Sequence, residues 1–179
     1  MRLAFLVTGS LIALIVIGVF IADSLMSPEY EVLRSVVIDA RPEAGHKWVG
    51  DLRNWKEWAP VGEGSGFVLT YGATTSGVGA SQTWTAGPGK GELRFTKWDP
   101  QKGVAYEMSF ASPGNPTMSS LGGVAYAPAG EGTRVMWRMR GSFGDGFGNG
   151  LRATQMDGRL GPVYEAGLQK LKELVEGDR

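Results

Sequence analysis

The sequence predicts an α+β fold: a curved antiparallel sheet wrapped around a long C-terminal helix, preceded by one N-terminal transmembrane helix. Three observations predict it. Apolar residues at Met156, Leu160, Val163, Tyr164, Leu168, Leu171, Leu174 and Val175 recur mostly at gaps of three and four, one face of a helix over 151–176. Between residues 30 and 141, apolar and polar residues alternate in short runs divided by Gly- and Pro-rich turns, as strands do. Residues 3–22 carry no charge, enough chain to cross a hydrocarbon core of about 30 Å at about 1.5 Å per residue. A contiguous antiparallel sheet must cover its apolar face, and only the terminal helix is long enough to do so.

Composition narrows the function classes. The 179 residues fit one domain with a short appendage. Lys and Arg number 18, as do Asp and Glu, so no net field favours nucleic acid and none is expected as a partner. With no Cys and a single His, His46, neither a thiolate nucleophile nor a multi-histidine metal site can form within one chain. No metal and no cofactor are expected.

Taken in order, residues 1–22 read as a retained anchor. A cleaved signal would need a small residue where bulky Phe20 stands. Arg2 precedes the span and Asp23, Glu29 and Glu31 follow it, which places a single-pass protein in the cell membrane with its domain on the extracytoplasmic side. Residues 23–29 form a linker of at most about 25 Å. It keeps the domain, 30–179, close to the bilayer.

The domain opens with a strand over 30–39, with Val32, Val36 and Ile38 on one face. Pro42 starts a short helix over 42–51, and Asn54 is the expected cap of a second turn at 55–58. His46 reads as a partly exposed surface residue. Strands follow at 66–71, 80–85, 92–98, 104–110, 121–127 and 133–141, with turns at 87–91, 99–103 and 128–132. Loops over 111–120 and 142–150 complete the meander. Pro162 lacks an N–H and its ring meets the Gly158 carbonyl, so the last helix should kink or split there. Residues 151–160 would then form a looser gate half.

Four stretches carry a family resemblance. Residues 36–44 (VVIDARPEA) resemble an opening strand and the helix after it. Residues 51–58 (DLRNWKEW) resemble a D-L-x-N-W-P-x-W element, with Lys56 where Pro is common. Residues 77–84 (GVGASQTW) resemble a G-x-G lead-in to a strand, and 161–174 (GPVYEAGLQKLKEL) a terminal helix. Together they are similar to the START-like, or SRPBCC, superfamily of the helix-grip fold, in its polyketide cyclase/dehydrase-like branch, over residues 30–176. The resemblance implies a cavity for an apolar ligand more firmly than any reaction.

The cavity-lining candidates are Trp55, Trp58, Trp84, Phe95, Tyr106, Met108, Trp137, Met156, Leu160 and Tyr164, because large aromatics hold a sheet away from a helix and Met adapts its shape. These same residues also suit an ordinary core. Arg94 and Arg138 are the candidates to hold a ligand's carboxylate or phosphate. No catalytic residue is assigned. The favoured reading is a membrane-anchored domain that binds or presents a lipid, isoprenoid or polyketide. The alternatives are an aromatase/cyclase-type enzyme and an accessory subunit packed against a membrane-complex partner.

Overall fold

The computed structural model describes residues 14, 17–21, 23, 25–60, 66–114 and 117–178. Its seven strands are β1 (Glu29–Ile38), β2 (Val68–Tyr71), β3 (Ser81–Ala86), β4 (Gly89–Asp99), β5 (Gly103–Ala111), β6 (Met118–Ala129) and β7 (Gly132–Ser142). They form one antiparallel sheet in the order β1-β7-β6-β5-β4-β3-β2. Helix α1 (Pro42–Val49) and a 3-10 turn (Leu52–Glu57) follow β1, and helix α2 (Asn149–Gly177) ends the chain.

Period-two alternation decides which side chains face inward. In β7, Val135, Trp137 and Met139 are buried while Arg134, Arg138 and Arg140 are exposed. In β1 the inward set is Tyr30, Val32, Arg34, Val36 and Ile38. A bulge between Phe95 and Lys97 breaks the register of β4 against β5 and adds local twist. Beyond it, Trp98 donates its indole N–H to the Gly50 carbonyl at 2.8 Å. The turn before β5 forms as expected. Asp99 accepts from the Gln101 and Lys102 amides, and Gly103 takes φ of +102°, where a side chain would also strike the Val124 carbonyl.

Several expectations need correction. Asn54 does not cap the short turn, which begins earlier, at Leu52. Asp51 caps it, accepting from the Arg53 amide at 2.9 Å, while the Asn54 side-chain amide donates to the Lys47 carbonyl. His46 is not a surface residue: it is 5% exposed, because α1 turns it inward against Trp98 and Tyr126. Helix α2 is not two segments, since Pro162 lies inside one unbroken helix. Gly158, whose carbonyl would have bonded to residue 162, is exposed, so water can take up the vacated acceptor.

An inward arginine stitches this part of the helix down. Arg34 of β1 donates to both Asp157 oxygens, at 2.7 and 3.0 Å, and to Glu165 at 2.6 Å. These carboxylates stand one turn before and one turn after Gly161, so the ion pairs straddle the proline. Further along, Lys172 donates to the Val37 carbonyl and Glu176 accepts from the Asp39 amide. These ties run from Asp157 to Glu176, so the expected looser half, 151–160, is held to β1 at Asp157, while Glu165, Lys172 and Glu176 hold the rest.

The transmembrane reading of 1–22 falls largely outside the described residues. Among the described residues no helix is long and apolar enough to cross a membrane. Residues 17–21 and Asp23 are helical, and the chain beyond them is not a free tether. Asp23 accepts from the Gly148 amide at 2.7 Å and the Leu151 amide at 3.3 Å. Met26 packs so closely on Gly150 that no Cβ would fit there, and Pro28 accepts from the Phe143 amide.

Candidate functional site

Six of the ten cavity candidates form one packed aromatic cluster. Trp137 stacks on Tyr164 with ring centroids 3.9 Å apart and meets Trp58 edge-on at 4.9 Å. Trp55 lies 5.1 Å from Trp58, 5.6 Å from Tyr106 and 5.9 Å from Phe95. All six are buried. Their polar atoms are satisfied locally: Trp55 donates to the Val49 carbonyl, Trp58 to the Trp48 carbonyl and Trp137 to the Tyr106 hydroxyl. Burial raises the Tyr106 and Tyr164 phenols above their ordinary value, so both stay protonated donors at neutral pH. This cluster packs beneath the second half of α2, and Trp58 at its edge also lines an open apolar hollow with Pro162, Val163 and Gly167.

The other four candidates sit elsewhere. Trp84 lies flat over Gly91 on the inner face of β3 and β4. Met108, Met156 and Leu160 are half-buried at the margin of the core. Phe110, Met118 and Phe143 share that margin, packed against the core but not enclosed by it. At this end a cavity of about 250 Å³ opens between Phe110, Met118 and Phe143 on the sheet side and Asn149 and Arg152 at the start of α2. Met156 lies one helical turn beyond Arg152, and Leu160 one turn beyond that. The apolar row along α2 thus begins at a cationic residue beside the cavity.

Arg94 and Arg138 lie on the opposite, outer face of the sheet. Their inward neighbours, Leu93 and Phe95 or Trp137 and Met139, dictate this by alternation. Arg94 pairs with Glu92 at 3.0 Å and Arg138 with Glu31 at 2.7 Å, and both are about half exposed. The outer face carries an open trough of about 960 Å³, lined by Glu29, Glu31, Arg94, Glu107 and Arg140 among others. Its size exceeds that of the apolar cavity, but it is open and lined by charges of both signs, with Arg94 paired to Glu92 along β4, and it suits an apolar chain poorly. Arg152, not singled out in the sequence, is the cation that meets the apolar margin. Its spacing of four residues before Met156 was the available signal.

His46 has no role at this margin. Its Nδ1 lies 3.2 Å from the Tyr126 hydroxyl, and its Nε2 is buried without a partner, against Gly50. Burial lowers its pKa below the ordinary 6.5, opposed by the Asp99 carboxylate. Among the described residues no group of His, Asp and Glu could hold a metal ion.

One long helix gripped by a seven-stranded sheet, with an apolar margin at one end, defines a helix-grip protein of α+β class. The chain belongs to the family of polyketide cyclase/dehydrase and lipid transport proteins, whose model matches residues 30–176. A protein from Chromobacterium violaceum shares the fold with a TM-score of 0.60 at 18% identity, over 82% of this chain and 96% of that one. One from Thermus thermophilus gives 0.57 at 21%, over 83% and 98%. The Aha1 dimer from Colwellia psychrerythraea gives 0.56 at 17%, over 82% and 96%. At such identities the likeness is one of fold. No curated protein matches the chain.

Proposed function

We propose that this chain is a membrane-anchored binding protein that takes an apolar ligand with an anionic head (a lipid, isoprenoid or polyketide) at the margin between β5, β6 and the start of α2. The observation that carries it is the cavity between Phe110, Met118, Phe143 and Arg152, where apolar side chains adjoin one cation. Flexible Met108, Met118 and Met156 suit a ligand of variable shape. Arg152 suits a carboxylate or phosphate, which a guanidinium binds with two parallel hydrogen bonds. The uncharged run 3–22 supplies the anchor, and the charges flanking it favour an extracytoplasmic domain. Family membership supports a ligand-binding domain and leaves the ligand open.

The test uses the full chain in a fluorinated surfactant, titrated with oleate and read by native mass spectrometry. Wild type should retain one oleate, and Arg152→Glu should retain at least about tenfold less, the scale of one lost charge-assisted contact. Retention of no oleate by wild type, or equal retention by Arg152→Glu, would overturn the proposed site.

A further inference from the structure

We propose that Asp23 clasps the anchor to the N-terminus of α2, so that anchor and domain move as one body and Phe147 and Leu151 are held in the bilayer interface. This rests on the anchor reading of residues 1–22. The clasp itself is a structural fact. The N-cap of helix α2 is Gly148, which has no side chain to cap with, and φ there is +83°. The first amides of a helix lack intrahelical partners, and a carboxylate is the favoured acceptor at that end. Asp23 supplies it from 125 residues away, bonding the Gly148 and Leu151 amides. It stands directly after the uncharged run 3–22. Phe20, within that run, stacks on Phe147 with centroids 5.1 Å apart.

The surface around the clasp is apolar and open. Phe147 is 62% exposed, Leu151 49%, Leu25 82% and Phe20 60%. Exposed apolar side chains on both sides of the clasp, with Phe20 and Phe147 in direct contact, mark an interaction site. The occupant argued for is the bilayer, because the uncharged run ends at this patch: Phe20, three residues before Asp23, stacks on Phe147. A polar linker in the same place would have let the domain turn freely. With Asp23 fixed, the rim formed by Phe147 and Leu151 faces the membrane. The cavity beside Phe143 and Arg152 opens at that same end, so a ligand would pass between bilayer and cavity without crossing water.

The absence of native Cys makes the test direct. Phe147→Cys, Leu151→Cys and Val68→Cys are each spin-labelled on the full chain, in vesicles of phosphatidylcholine and phosphatidylglycerol. Flotation first establishes that the protein is in the membrane. Labels at 147 and 151 should then be more accessible to oxygen than to a water-soluble nickel chelate, and the label at 68 the reverse. Adding Asp23→Ala should reverse the preference at 147 and 151 while leaving the mobility at 68, and hence the fold, unchanged. Asp23→Asn keeps an acceptor and should keep the depth. A chain that does not float overturns the anchor reading and this proposal with it. A chain that floats with aqueous labels at 147 and 151, or one whose label depth ignores Asp23→Ala, overturns the clasp alone.

Discussion

Arg34 passes directly over Gly161. Any Cβ at Gly161 would fall on the guanidinium, which is thereby free to reach Asp157 on one side and Glu165 on the other. The glycine beside the helix's only proline is therefore a seat for a strand residue, and the ion pairs it permits bind both sides of the proline to β1.

Gly161→Ala should destabilise the fold despite alanine's higher helix propensity. Overpacking costs about 1–3 kcal/mol, while the propensity gain offsets about 1 kcal/mol. The neighbouring control is Gly158→Ala, where nothing lies within 4 Å of the added methyl. That variant should be neutral or stabilised by up to about 1 kcal/mol. Thermal melts followed by circular dichroism separate the two, and a Gly161→Ala protein as stable as Gly158→Ala would count against the seat.

The Arg34 pair should make stability sensitive to acid. Hydrogen bonds from Arg34 hold the Asp157 carboxyl below its ordinary value of 3.8. The unfolded chain then binds that proton at a higher pH than the folded one, so the pair's contribution is complete above the ordinary value and is lost as pH falls through the folded one. The melting difference between wild type and Arg34→Met should be steady from neutral pH to about pH 5 and shrink below it. A difference that grows toward pH 2 would contradict the assignment.

His46 should titrate low. Being the sole histidine, it gives one set of imidazole signals in an NMR titration. Burial places its midpoint below the ordinary 6.5. The unfolded chain takes up the proton first, so stability is full above about pH 6.5 and declines as pH falls toward the folded midpoint. His46→Gln should flatten the stability profile over that interval. A midpoint above 6.5 would refute the buried neutral ring.

Tyr106→Phe tests the polar centre of the aromatic cluster. The substitution keeps the ring but removes the oxygen that accepts from Trp137 at 2.9 Å. A buried indole N–H without an acceptor costs about 1–3 kcal/mol. Urea melts should show that loss with an unchanged denaturant slope. A loss under about 0.5 kcal/mol, within ordinary surface scatter, would mean the N–H finds another partner.

Much of the fold was legible from period alone. Strict alternation in β7 and β4 identified the inner residues, and the stripe from Tyr164 to Val175 identified the buried side of α2. Strand ends were less legible. β4 begins at Gly89 and β6 at Met118, because a ladder continues wherever the neighbouring strand offers partners, which Gly- and Ser-rich composition does not reveal. Arg34 was hidden by its chemistry. It stands between Val32 and Val36 on the inner face, and only the helix carboxylates opposite explain why a charge is tolerated there. The aromatic set was legible as interior, with packed core and cavity lining both open, since the same residue types can line a void or fill one. The link from Asp23 to α2 could not be seen, because sequence separation hides a cap supplied from the other end of the chain.

The strand order has a consequence for synthesis. β2 to β7 pair in succession, so each can zip onto its predecessor as it leaves the ribosome. β1 cannot. Its partner β7 begins only at Gly132, and the helix that covers it begins at Asn149. The first strand made is the last to be paired, and its inward face, Tyr30, Val32, Val36 and Ile38, must wait unprotected while most of the chain is translated. Such non-local closure slows folding and leaves an edge open to other strands. Attachment of the preceding residues to a membrane during translation would hold that waiting strand in place and keep it from neighbouring nascent chains.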